Sequence, residues 1–217
     1  MTEAPADLMG STMDRFFPTD AETGTAGDWA GALIHARCTV LPKRLVSPGP
    51  QPHQLDLILG AAAAAPDHGE LVPWRFVLVP VAARTALATV FEQSLLERDA
   101  AATPAQCGQA REKAFRAPVL MLAIARLGGD EEILAAERLV SAGCAIQNML
   151  LMATALGFGS ALTSGKALQS TGLRRLFSLA PGEQPLCFLS LGTAVSRKPH
   201  RPRPSLENYV SELEVSA

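Results

Sequence analysis

Residues 141 to 165 read Ser141-Ala-Gly-Cys-Ala-Ile-Gln-Asn-Met-Leu-Leu-Met-Ala-Thr-Ala-Leu-Gly157-Phe-Gly159-Ser-Ala-Leu-Thr163-Ser-Gly165. The pattern is a long apolar helix, starting near Glu131 and running to Leu156, with Gly157 as its stop and a short strand at Ser160–Thr163. The apolar part from Leu139 to Leu156 would be about 27 Å long as a helix, close to the thickness of a bilayer core. Gln147 and Asn148 stand in its middle, and Glu137 and Arg138 just precede it, so a buried helix fits better than a membrane span. Ile146, Met149, Leu150, Leu151, Met152 and Leu156 make it apolar on nearly every side. One domain covers one stripe of such a helix, and a symmetric second copy covers the rest. Ala142, Gly143, Ala145 and Ala153 would allow close approach at that axis. The expectation is a homodimer.

Outward from this helix, Val119-Leu-Met-Leu-Ala-Ile-Ala is a continuous apolar run, as in a strand covered on both faces. Arg75-Phe-Val-Leu-Val-Pro and Pro185-Leu-Cys-Phe-Leu-Ser-Leu-Gly read as two further strands by their β-branched and aromatic content. Helices are expected from Asp28, as N-cap, to Ala36, from Gln54 to Ala65, from Ala82 to Leu96, from Ala105 to Phe115 and from Leu173 to Phe177. The tail from Ser196 to Pro204 is basic and proline-rich, then weakly helical over Leu206–Leu213. Residues 1–27 carry no sustained period and read as a loosely ordered extension. Residues 28–217 form one domain of class α+β: a mixed, largely antiparallel sheet flanked by helices.

Composition narrows the function. The chain has 217 residues, a formal net charge of -2, 18% charged residues and 5% aromatic residues. That balance argues against a nucleic-acid protein, which would gather a basic excess and stacking aromatics. The four cysteines, Cys38, Cys107, Cys144 and Cys187, are far apart in sequence and offer no C-x-x-C pair. The four histidines have no ligand spacing, so no metal is expected. The amino terminus has no apolar segment of the secretory kind, and a cytoplasmic, reducing location is the default. Gly157-Phe-Gly159 lacks the third glycine of a dinucleotide fingerprint and leads into a strand rather than a helix. Gly159–Lys166 has one residue too many for a phosphate loop and ends at Ala167, where Ser or Thr would be needed. No G-x-S-x-G or H-E-x-x-H motif is present.

Three segments together carry a resemblance. The first is Arg37-Cys-Thr-Val-Leu-Pro-Lys43-Arg44; its guanidinium, hydroxyl and ammonium groups are suited to a terminal phosphate. The second is Ala65-Pro-Asp-His-Gly-Glu-Leu-Val-Pro-Trp-Arg-Phe76, and the third is the helix and strand quoted above. With a weaker fourth piece, Leu191-Gly-Thr followed by Arg201-Pro-Arg203-Pro, the combination resembles the nitroreductase family over roughly residues 30 to 212.

The resemblance implies an intertwined homodimer holding FMN. Arg37, Cys38, Thr39, Lys43, Arg201 and Arg203 would lie near the phosphate. His68 would reach the flavin from beside its pyrimidine, and Leu162, Thr163 and Ser164 would face the N5 and O4 edge. The carboxyl-terminal extension would reach the partner subunit. No side chain is assigned a catalytic role, because flavin N5 carries the chemistry. NADH or NADPH would give hydride, and a small electron-poor acceptor, a nitroaromatic or quinone, would take it at the same site in ping-pong fashion. Cys38, Glu70, Val72 and Thr163 depart from residues frequent in the family. They leave a second reading open: a flavin-binding or sequestering protein with little reductase activity.

Overall fold

A computed structural model describes residues 24–129, 132–196 and 202–215. The expected extension lies largely outside these residues. The first helix, α1, spans Ala26–Ala36 and begins before Asp28. Thr25 is its N-cap, and Asp28 closes a capping box from the N3 position, its carboxylate accepting from the Thr25 N–H at 2.9 Å.

Five strands form one sheet: β1 (Leu45–Val46), β2 (Trp74–Leu78), β3 (Val119–Arg126), β4 (Gly159–Thr163) and β5 (Glu183–Ala194). The order β1-β5-β3-β2, with β4 also on β5, makes every described strand pair antiparallel. The one described parallel bridge joins Thr39 to Ser160. Two-residue β1 is too short for any periodicity and was not expected; Leu45 and Val46 pair with Ala194 and Thr193.

Strand β3 explains the layering. Met121, Ala123 and Ala125 face a cluster built with α2 (Pro52–Gly60), the following turn at Ala61–Ala64, and α5 (Ala135–Ala155). Leu120, Leu122 and Ile124 face the other side, against α3 (Arg84–Leu96) and α6 (Thr171–Leu176). Alternation along one strand thus fills both cores, which is why the sequence run has no polar gap. Between β2 and β3, α4 (Pro104–Glu112) packs beside α3, and Arg111 bonds Glu92 at 2.6 Å. Phe188 of β5 meets Phe91 and Phe177 edge-on, at centroid distances of 5.5 and 6.0 Å.

Arg84 is buried, and its guanidinium donates to the carbonyls of Val79, Ala114 and Pro118 at 2.9, 2.7 and 3.2 Å. Burial pulls its pKa downward. The carbonyls replace water for the cation and tie the start of α3 to the approach to β3.

The chain itself covers more of α5 than the sequence reading allowed. Ile146, Met149 and Leu150 are buried against α2 and the sheet. A narrower stripe remains uncovered: Leu139, Val140 and Gly143 are exposed, and Gln147 and Leu151 are half-buried. The tail holds a single 3-10 turn at Leu206–Asn208 instead of a helix to Leu213, and all of residues 202–215 is exposed.

Candidate functional site

The amino-terminal loop and β4 are separated by most of the chain but lie side by side. The Val40 N–H donates to the Ser160 carbonyl at 2.9 Å, next to the Thr39–Ser160 bridge. Gly159 permits this approach. A Cβ there would stand 2.7 Å from Leu45 Cδ2 and 3.2 Å from Val40 Cγ2. The second glycine of the G-F-G stretch therefore seats one chain segment against another.

Between these segments lies an open cavity of about 580 Å³. Arg37, just past the end of α1, lines it with His35 and Thr39. Arg203 lines it from the tail, its Nη2 donating to the Arg37 carbonyl at 3.4 Å. Neither guanidinium has a carboxylate partner among the described residues. The rest of the wall is largely apolar: Ile34, Leu150, Ala161 and Leu162, with Gln147 of α5 and Tyr209 of the tail adding polar atoms. The two guanidinium-bearing residues suit an anion, and the apolar lining suits a flat apolar body. A flavin mononucleotide has that polarity, a phosphate at one end and a fused ring at the other, and the cavity volume is that of an ordinary cofactor site.

Of the residues expected at a site, Arg37, Thr39, Leu162 and Arg203 come together here. Arg203 approaches its own chain's Arg37, whereas the sequence reading sent the tail to the partner. Pro202 and Pro204 flank it and favour the extended backbone that brings it there. Arg201 lies outside the described residues. Cys38 packs with Val40, Leu45 and Ala117 in a small apolar cluster, so its side chain serves the core instead of the cavity. Lys43 is exposed on the turn Pro42–Arg44 and does not line the cavity. Thr163 is half-buried at the end of β4, and Ser164 lines a separate, neighbouring cavity.

His68 is elsewhere. Its Nδ1 is 2.9 Å from Glu137 Oε2 near the start of α5, and this bond is the first cause that draws the Glu137 carboxyl below its usual range. Gln147, at the cavity, is ten residues further along the same helix, about 15 Å away. The loop holding His68 is strained: Glu70 and Val72 have φ of 52° and 46°, beside Gly69 at 73°. Asp67 Oδ2 accepts from the Val72 N–H at 2.7 Å, while Asp67 Oδ1 is buried without a hydrogen-bond partner. Non-glycine residues in this region mark a conformation that the surroundings impose.

His35, Gln147, Ser160 and Tyr209 line the cavity and were not singled out as binding residues. His35 had a signal, standing two residues before Arg37. Gln147 has one as well: a polar residue within an apolar helix argues against a membrane span and also marks a ligand wall.

The fold and cavity define an α+β protein with a cofactor-sized pocket at the junction of sheet, long helix and tail. The sequence profile of the Nitroreductase family matches residues 46–193, and the chain belongs to that family. It is 33% identical over 150 residues to the Escherichia coli (strain K12) protein named "Putative NAD(P)H nitroreductase YdjA", covering 69% of this chain and 81% of that one. A Haemophilus influenzae protein with a similar name is 30% identical over 156 residues, 71% of this chain and 84% of the other. Among solved structures, a nitroreductase-like family protein from Bacillus cereus superposes with a TM-score of 0.75 at 18% identity, over 88% of this chain and 98% of that one. The FMN-dependent nitroreductase NfnB from Mycobacterium smegmatis, solved in complex with NADPH, gives a TM-score of 0.67 at 17% identity, over 88% and 100% of the two chains. These two confirm the fold. No helix among the described residues is long and apolar enough to cross a membrane.

Proposed function

We propose that this chain is an FMN-dependent NAD(P)H oxidoreductase acting on small electron-poor acceptors of the nitroaromatic or quinone type. The observation that carries the reading is that Arg37, Thr39 and Arg203 line one cavity whose remaining wall is largely apolar. Arg37 and Arg203 would hold the phosphate, and Leu150, Ala161 and Leu162 would support the ring. The flavin would supply hydride transfer between the nicotinamide and the acceptor, with one pocket serving both in turn in a ping-pong cycle. The chain's own residues bind and orient, and no acid–base side chain is required of them.

The functional unit is a homodimer with composite sites. The uncovered α5 stripe, Leu139, Val140, Gly143, Gln147 and Leu151, runs directly to the cavity wall at Gln147. A second copy seated on that stripe also roofs the cavity. His68 is held by Glu137, about 15 Å along α5 from Gln147 at the cavity, and would contribute to the site of the other subunit.

Mixing the FMN-loaded protein anaerobically with NADH or NADPH tests the activity. Bleaching of the flavin absorbance, with recovery on adding a quinone, supports an oxidoreductase. Bound flavin that neither nucleotide bleaches favours instead the sequestering protein that the departures at Glu70 and Thr163 leave open.

A further inference from the structure

Beside the first cavity lies a second, of about 630 Å³, lined in part by Ser164, Lys166, Gln169, Arg174 and Gln184. It offers two cations, a hydroxyl and two amides, and none of the residues lining it is acidic. The nearest carboxylate in sequence, Glu183, is already engaged. Both its oxygens receive the Arg75 guanidinium, at 2.6 and 2.7 Å, and one also accepts from the Ala180 N–H at 3.0 Å.

Arg174 is fixed in place, its two terminal nitrogens each 3.0 Å from a carbonyl, of Glu183 and of Ala180. Those bonds orient the guanidinium without cancelling its charge. Lys166 is exposed and has no carboxylate partner among the described residues. A pocket with fixed positive charge, neutral donors and no acid is complementary to a phosphate group.

The two cavities are coupled by the chain. Leu162 lines the first and Ser164 the second, two residues apart and so separated by about 7 Å of extended backbone. The proposed hydride donor has the matching shape: a nicotinamide ring joined through one ribose to a pyrophosphate. The geometry points to the second cavity as the site for the phosphates of the nicotinamide nucleotide, with Lys166 and Arg174 as its binding cations. This assignment rests on the reading of the protein as an NAD(P)H oxidoreductase. The phosphate held there is either the pyrophosphate, common to both nucleotides, or the additional 2′-phosphate of NADPH.

Calorimetric titration of NADP+ and NAD+ into the FMN-loaded protein tests this without turnover. Lys166→Ala weakens NADP+ binding about tenfold or more, the effect of removing one hydrogen bond to a charged group, and Lys166→Glu weakens it further, while Lys166→Arg restores it. Equal loss for NAD+ and NADP+ identifies the pyrophosphate; loss confined to NADP+ identifies the 2′-phosphate. FMN affinity, read from the flavin absorbance, is unchanged in all three variants. Wild-type affinity for both nucleotides in Lys166→Ala and Lys166→Glu overturns the assignment. A parallel loss of FMN also overturns it, because Lys166 would then belong to the first cavity. Failure of the wild-type protein to take up FMN contradicts the oxidoreductase reading itself, and the nucleotide titrations on the same protein still report on Lys166.

Discussion

The guanidinium of Arg203 donates to the backbone carbonyl of Arg37 at 3.4 Å, across 166 residues of sequence. This contact holds the tail against Arg37, and both residues line the same cavity. Arg37→Ala is expected to weaken FMN binding by about 1.5–3 kcal/mol, the range for hydrogen bonds to charged groups. Arg203→Ala is expected to do the same within the same site. A flavin titration of the double variant then gives less than the sum of the two losses, because both groups serve one phosphate. Strict additivity would mean that the arginines act at separate places.

Mixing chains tests whether sites are shared between subunits. In a dimer, an Arg37→Ala chain paired with a His68→Ala chain forms one site with both residues intact, because His68 comes from the opposite chain. Recovery of flavin binding in the mixed sample is expected. Mixing Arg37→Ala with Arg203→Ala recovers nothing, since those two residues serve the same chain's cavity. The reverse result, rescue in the second mixture only, would restore the crossing tail.

Trp74 is 8% exposed within the core cluster of α2, α5 and the sheet. Trp74→Ala is expected to lower stability by about 3–5 kcal/mol, read as a fall in denaturant midpoint, with flavin affinity of the folded protein little changed. A normal midpoint with lost flavin binding would make Trp74 a ligand contact.

Glu183 has its carboxyl held at about 2 by its bonds with Arg75, with smaller help from the Ala180 N–H and Arg126. A carboxyl lowered in the folded state contributes stability that is complete above its unfolded pKa of about 4.3, and is lost as pH falls toward 2. Glu183→Gln is expected to lower stability at neutral pH by about 3 kcal/mol, since the Arg75 cation loses its partner. The difference from the parent should shrink below pH 4. Urea midpoints measured from pH 7 down to pH 3 provide the check, and a pH-independent difference would refute it.

Much of this architecture was legible in the sequence because single elements carry strong patterns. The unbroken apolar run Val119–Ala125 announced a strand covered on both faces, and Gly157 ended the long helix as expected. Other features depend on distant partners that no local pattern reveals. Arg84 reads as a surface cation, yet it is buried among three carbonyls that only the fold assembles. Leu45–Val46 forms a strand only because Thr193 and Ala194 lie opposite. Arg37 and Thr39, read from motif chemistry, and Leu162, implied by the resemblance, line one cavity. The adjacent position in a motif does not reveal which way a side chain turns, and that of Cys38 turns toward a small apolar cluster. Asp28 and Thr25 both suit a helix start, and only the hydrogen bonds separate the N-cap from the N3 residue.

The most direct test is an absorbance titration of the purified protein with FMN and with FAD. Saturable binding of FMN with perturbed flavin bands, and weaker binding of FAD, is the predicted result, since Arg37, Thr39 and Arg203 line one cavity and would serve a single terminal phosphate. A protein that stays colourless after equilibration with high micromolar FMN would contradict the account.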